Sequence, residues 1–155
     1  MADGREHTNE SADERLDRNW NELLQELRVA QTGVQILTGF LLTIPFTPVF
    51  DDLARGRHIF YVCILGSAVV ATALLVSPVA FHRILFRHGQ RDWLVRASAI
   101  AASSGLAALG ITMVGVVWFL FDVVIGDMTA TIAAIVAAIL FLTLWVAVPI
   151  AAHKR

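Results

Sequence analysis

Cysteine is nearly absent from this chain, with Cys63 the single one among 155 residues. One cysteine can form neither an intramolecular disulfide nor a cysteine metal cluster, and its position inside an apolar stretch predicts a small buried hydrophobe. Charged residues are also scarce, at 16% against 57% hydrophobic residues. Because this balance is more apolar than a soluble core of this size needs, we expect no soluble domain.

The motifs of common enzymes are absent as well. The sequence contains no nucleotide-binding glycine loop, nucleophile elbow or zinc-binding helix motif, and His58, His82 and His88 are scattered. We therefore predict no enzyme, no cofactor, no metal site and no nucleic-acid partner. Residues 1–28 carry no apolar run, so no cleavable signal peptide is expected.

Long apolar runs dominate what is present. Four stretches, at about 29–47, 59–81, 97–121 and 128–152, are each long enough to cross a bilayer, which takes roughly 20 apolar residues in a helix. The predicted fold is all-α, an integral membrane four-helix bundle. A disordered tail over 1–11 is expected before a single four-span domain over 12–155, with the lipid bilayer as its surroundings.

The first helix is predicted to be longer than its span. Ser11 and Glu14 have capping-box spacing, which favours a helix starting at Ala12. Nothing breaks the helix before Pro45, and its first turns have an apolar stripe, so an amphipathic extension should project from the membrane. The exit from the second span, at about residue 81, is marked by Ser77-Pro78 and the run His82-Arg83.

The distribution of arginine predicts the orientation. Arginines are concentrated in the segment between spans two and three, at Arg83, Arg87, Arg91 and Arg96. By the positive-inside rule this segment is cytoplasmic, and four spans then place both termini inside. Of the twelve Lys and Arg residues, only Arg55 and Arg57 fall on the other side.

Spans three and four should form a tight antiparallel hairpin. We expect Gly126 to end the third helix and Asp127 to cap the fourth. Small residues recur at three- and four-residue steps in both spans and predict facing seams, with a lining for an aqueous path as the alternative. The seam residues are Ala97, Ala101, Gly105, Ala108, Thr112 and Gly115, with Ala130, Ala134 and Ala138.

A polar stripe follows one face of the first helix. Its members advance by three or four residues, with Gln31 beside them: Asn21, Gln25, Arg28, Thr32, Gln35 and Gly39. An amide two turns into the span is costly in lipid, so Gln35 should meet another helix, a water or a second subunit. Interhelical hydrogen bonding and a polar path or ligand site both fit.

Charged groups gather where the first helix enters the bilayer. Glu22 and Glu26 form an unfavourable like-charge pair unless basic side chains pair with them. The arginines of the 82–96 segment are predicted on the same side of the membrane. A cytoplasmic ion-pair network is the simpler interpretation, and a functional acid site is the alternative. The candidate network is Glu22, Glu26, Arg28, Arg83 and Arg87.

Asp122 lies one turn inside the predicted outer end of span three, between Phe121 and Val123. A carboxyl group taken out of water there could accept a proton. The alternative is structural: the carboxylate pairs with Arg55 or Arg57, or bonds to Thr129 or Thr131. Both interpretations remain open at this stage.

Several segments resemble a known family. These are residues 15–35 (RLDRNWNELLQELRVAQTGVQ), 41–48 (LLTIPFTP), 78–83 (PVAFHR) and 121–124 (FDVV). The chain is similar to a domain-of-unknown-function family of small four-span actinobacterial membrane proteins. This resemblance implies a fold and a location but no established activity; some members are loosely labelled sodium:proton antiporter.

Two functions fit these features. One is a non-catalytic interaction or accessory protein whose cytoplasmic first-helix extension docks a partner, such as a membrane protein, or a second copy. The other is a small ion or proton transporter that works as an oligomer and uses a polar path of Glu26, Gln31, Gln35 and Asp122.

Overall fold

The computed structural model describes residues 12–85 and 91–153, with side chains for residue 18, residue 83, 24–81 and 95–152. Every regular element in those ranges is helical, which confirms the all-α prediction. Four stretches are long and apolar enough to cross a membrane, and they begin and end at Leu24–Phe46, Arg55–Phe81, Val95–Val124 and Asp127–Ala152.

The first helix, α1, runs unbroken from Ala12 to Thr43, as predicted. Among its described side chains, those of Leu27, Val34 and Leu41 are buried. They recur every seventh residue, which is the spacing of a seam between neighbouring helices. This seam packs α1 against the rest of the bundle.

A compact connection follows α1. It consists of a 3₁₀ turn, Ile44–Phe46, and the one-turn helix α2, Pro48–Asp51. The Phe50 ring lies edge-on to His58 and Tyr61, with centroid distances of 4.5 and 5.0 Å. These contacts close one end of the bundle, here called the upper end (residues 44–57 and 119–129); residues 24–30 and 95–103 form the lower end.

Helix α3 spans Arg55–Leu85 with Pro78 inside it. The apolar span ends at Phe81, as predicted, and the helix continues through Pro78 to Leu85. At about 1.5 Å per residue, its 31 residues extend about 46 Å. Cys63 is exposed on its surface and is not the buried hydrophobe that we predicted.

Helix α4, Arg91–Val124, turns back through Gly126 into α5, Asp127–Leu142. Gly126 has a φ of 131°, which side chains with a Cβ rarely adopt. The Gly126 amide bonds back to the Phe121 carbonyl of α4, consistent with the predicted cap of the third helix. The prediction that Asp127 caps the fourth is wrong, because Gly126 is the N-cap and Asp127 is already the first helical residue.

The last span is widened near its end. A π-helical stretch, Thr143–Ala147, joins α5 to α6, Val148–His153. Pro149 explains it: the ring would clash with the carbonyl four residues earlier, and the Val148 amide bonds instead to the Thr143 carbonyl, five residues back. Helices α5 and α6 therefore form one continuous helical span.

The small-residue seam of α4 packs against α3. A Cβ on Gly105 would lie 2.8 Å from Leu75 Cγ, and one on Gly115 would lie 3.0 Å from Ile64 Cγ1. The most extensive interface joins α3 to α4, and α5 packs mainly on α4. The prediction of facing seams between spans three and four therefore needs correction, since the α4 seam serves α3.

Candidate functional site

Gln31 shows how this chain accommodates an amide within a span. Its Nε2 donates to the Leu75 carbonyl of α3 at 2.8 Å. Leu75 lies three residues before Pro78, where a proline disturbs the helical hydrogen bonds. The Gln31 amide of α1 therefore donates to a main-chain carbonyl of α3, close to the proline in that helix.

The carbonyl that Pro78 deprives of its donor is that of Leu74, four residues earlier. Ser77 Oγ donates to this carbonyl at 2.8 Å. Unpaired main-chain groups are costly in a bilayer, and neighbouring Ser or Thr hydroxyls commonly satisfy them. Pro78 is thus tolerated inside α3 because side chains replace the missing main-chain donor.

The Tyr61 hydroxyl likewise replaces a main-chain donor that is missing at Pro45. Pro45 has no N–H for the Leu41 carbonyl, four residues earlier, and the buried Tyr61 hydroxyl donates to that oxygen at 2.5 Å. The bond ties the end of α1 to α3. Sequence reasoning did not single out Tyr61, although a proline four residues after a buried carbonyl is a signal that such a donor is needed.

We expect Tyr61→Phe to lower the free energy of unfolding by about 1–3 kcal/mol, because the buried Leu41 carbonyl loses its donor. In a Pro45→Ala background the cost should shrink, since the alanine supplies an N–H. Thermal unfolding in detergent measures both effects. Thr32→Val is the control, as the Thr32 hydroxyl bonds only to its own helix, at Arg28 O; equal costs of Tyr61→Phe in both backgrounds would contradict the assignment.

Two hydroxyls join the middle of α3 and α4. Thr112 Oγ1 lies 2.8 Å from Ser67 Oγ and 2.8 Å from the Ala108 carbonyl. Thr112 is 1% exposed, so these bonds form inside the helix interface. Polar contacts of this kind hold membrane helices together where burial of apolar surface contributes little.

An ion pair joins α3 to α4 at the upper end of the bundle. Arg57 contacts both carboxylate oxygens of Asp122, Nε to Oδ2 at 2.5 Å and Nη2 to Oδ1 at 3.0 Å. The Asp122 side chain is 1% exposed and that of Arg57 is 41% exposed. Of the alternatives open for Asp122, the structure therefore shows the pairing with Arg57, a two-pronged arrangement that fixes α3 against α4.

The polar stripe of α1 points away from the other helices. Gln25, Arg28, Thr32, Gln35 and Gly39 are all exposed. Within the described part of the chain Gln35 has no hydrogen-bond partner. The side chain of Asn21 lies outside the described set. Gln31, which neighbours the stripe, is the member that reaches inward.

The four residues of the predicted polar path are not brought together. Glu26 lies at the lower end, beside a groove of about 240 Å³ between α1 and α4 that Ala99 and Ser103 also line. Asp122 lies at the upper end, 19 residues beyond Ser103 and thus about 29 Å along α4. Between them, Gln31 bonds to α3 and Gln35 faces outward.

The predicted ion-pair network falls partly outside the described side chains, which do not include those of Glu22 and Arg87. Glu26, Arg28 and Arg83 are exposed, and no ion pair joins these three in the structure as described. The network stays a prediction. No three His, Cys, Asp or Glu side chains come together as metal ligands in the described ranges.

The four apolar helices define the chain as a helical membrane protein. It belongs to a family of unknown function, DUF6328, whose model matches residues 9–149. The match confirms the resemblance to a domain-of-unknown-function family. Neither a curated protein nor a solved structure matches the chain.

Proposed function

We propose that the chain is a non-catalytic, multi-pass protein of the bacterial cell membrane that acts by interaction, as an accessory protein docking a membrane partner or a second copy through the outward face of α1. This outward face comprises Gln25, Arg28, Thr32, Gln35 and Gly39, all exposed. The observation that most supports this proposal is the exposure of the Gln35 amide midway along a membrane span.

Four other polar side chains within the spans bond inside the fold, which distinguishes them from Gln35. Gln31 and Tyr61 donate to carbonyls beside prolines, Thr112 binds Ser67, and Asp122 is paired with Arg57. Each makes a hydrogen bond or an ion pair inside the fold. Gln35 differs because its amide has no such bond and faces the bilayer, where an unsatisfied polar group is unfavourable.

Ion or proton transport by an oligomer is the competing function. It would need a hydrated line between Glu26 and Asp122, which lie at opposite ends of the bundle. The paired state of Asp122 and the inward bond of Gln31 support interaction over transport. Transport, which the antiporter label of some resembling proteins suggests, is therefore not the function that we propose.

We further propose that both termini are cytoplasmic. The support is the concentration of arginine between spans two and three against its absence from the connection between spans three and four. In a Cys63→Ser background, Gly126→Cys should react with an impermeant thiol reagent applied to whole cells and Gly89→Cys should not. The opposite labelling pattern would invert the orientation.

Site-specific photo-crosslinking in native membranes tests the docking face. A benzophenone amino acid at Ile36 or Leu42, which are 57% and 52% exposed on α1, should give one adduct of defined mass. The matched positions Val69 on α3 and Ile139 on α5, 54% and 59% exposed, should give none. Equal adducts at all four positions, or none at α1, would contradict docking through this face.

A further inference from the structure

Gln35 occupies the most apolar depth that α1 reaches. The first span runs from Leu24 to Phe46, and Gln35 is its central residue, about 16 Å from either end at 1.5 Å per residue. Neither water nor headgroups extend to this depth. A partner for the amide must therefore come from protein.

The side of α1 around Gln35 is open to another helix. A Cβ placed on Gly39, one turn away, would meet nothing within 4 Å. Glycine on an exposed helix face allows two backbones to approach closely. On the other side of α1, Val34 and Leu41 are buried in the bundle, so a helix that covers Gln35 leaves the fold undisturbed.

Several exposed hydroxyls elsewhere are satisfied by their own helices. Ser103 donates to Ala99 O at 2.9 Å, and Thr131 to Asp127 O at 3.0 Å. Thr32, one turn before Gln35, bonds in the same way to Arg28 O. The Gln35 amide has no such bond in the described part of the chain, so at the centre of the span it needs an external partner.

We propose that α1 pairs in parallel with α1 of a second copy of this chain, about a two-fold axis along the membrane normal, with Gln35 of each copy at the centre. This inference rests on the proposed function and specifies its partner. All copies share one orientation, so such an axis brings identical residues together at the same depth. Glutamine carries both a donor and an acceptor, so two Gln35 amides satisfy each other reciprocally.

Arg28 sets the lower boundary of this pairing. It lies on the same face, four residues into the span, and two Arg28 side chains at one depth repel each other. Long arginine side chains reach toward the interface, where lipid phosphates and water surround them. The closest approach of the two helices is therefore at Gln35 and Gly39.

Disulfide trapping in native membranes tests the pairing. In a Cys63→Ser background, Thr32→Cys should form a disulfide-linked dimer on mild oxidation, whereas Val69→Cys, 54% exposed on α3, should remain monomeric. Adding Gln35→Leu should weaken dimerisation about five- to tenfold, the loss expected for one interhelical polar contact. Phe40→Leu, about 140° around α1 from Gln35, is the matched control and should leave the dimer intact.

The outcomes separate the inference from the proposed function. A dimer that Gln35→Leu leaves unchanged, or dimer from Val69→Cys as readily as from Thr32→Cys, would overturn the pairing. Absence of a Thr32→Cys dimer alongside photo-crosslinks from Ile36 to a different protein would overturn the second copy as partner and leave docking through α1 standing. Absence of both would overturn both.

Discussion

Gly105→Leu is expected to abolish the folded state of the protein in detergent. A Cβ alone would lie 2.8 Å from Leu75 Cγ and 3.1 Å from Leu75 N. The side chain can shift, but the main chain of α3 behind it cannot move without separating α3 from α4. Overpacking a core costs about 1–3 kcal/mol, and a full leucine against main chain should exceed that range, a large part of a typical total stability.

Gly66→Leu is the matched control for this experiment. Gly66 lies on α3, and a Cβ there would meet nothing within 4 Å. Both variants add the same side chain to a helix of the same bundle, so size-exclusion profiles and thermal unfolding compare them directly. Folded, monodisperse Gly105→Leu, or equal damage from Gly66→Leu, would mean that the α3–α4 seam is misplaced.

Arg57→Gln is expected to destabilise the protein by several degrees of unfolding temperature, and by more than Asp122→Asn does. Removal of the guanidinium leaves a carboxylate that is 1% exposed without its partner, and an unpaired buried charge is strongly unfavourable. Asp122→Asn instead leaves Arg57, 41% exposed, which can turn toward water or headgroups. The order of effects follows from this difference in burial.

The double variant Arg57→Gln with Asp122→Asn should regain much of the stability lost in Arg57→Gln alone. The measurement is the midpoint of thermal unfolding in detergent for the wild type, both single variants and the double variant. Additive losses would show that the two side chains do not act as a pair. A larger loss from Asp122→Asn than from Arg57→Gln would contradict the burial argument.

The spans and the long first helix were predictable because length and hydropathy determine them. Apolar runs of more than about 20 residues have few alternatives to a membrane helix, and nothing interrupts α1 before Pro45. The second span ends at Phe81, as its apolar run predicted. Pro78 lies inside its helix, where Ser77 supplies a donor to the Leu74 carbonyl three residues earlier in the same helix.

Partners across helices were not predictable in the same way. The sequence marked Gln31, Gln35 and Asp122 as costly in lipid, yet the rotation of α1 decides that Gln31 points to Leu75 and Gln35 points outward. The two amides lie four residues apart, about 40° around the helix. Periodicity alone could not say which of them the bundle would cover.

The seam of α4 illustrates the same limit. Small residues at three- and four-residue steps predicted a close helix contact, and Gly105 makes one. Because α3 and α5 both neighbour α4, spacing could not select between them. The short Gly126 turn favoured α5, whereas Leu75 and Ile64 of α3 occupy the seam.

A flux assay decides most directly whether the polar groups of the spans carry ions or hold helices together and dock a partner. The purified protein is reconstituted in liposomes with a pH-sensitive dye, under a proton or a sodium gradient, at a density at which oligomers form. We expect no flux above that of protein-free liposomes. Proton or sodium-linked flux that Asp122→Asn abolishes, at unchanged yield and oligomeric state, would contradict a purely structural role for the Arg57–Asp122 pair and establish transport.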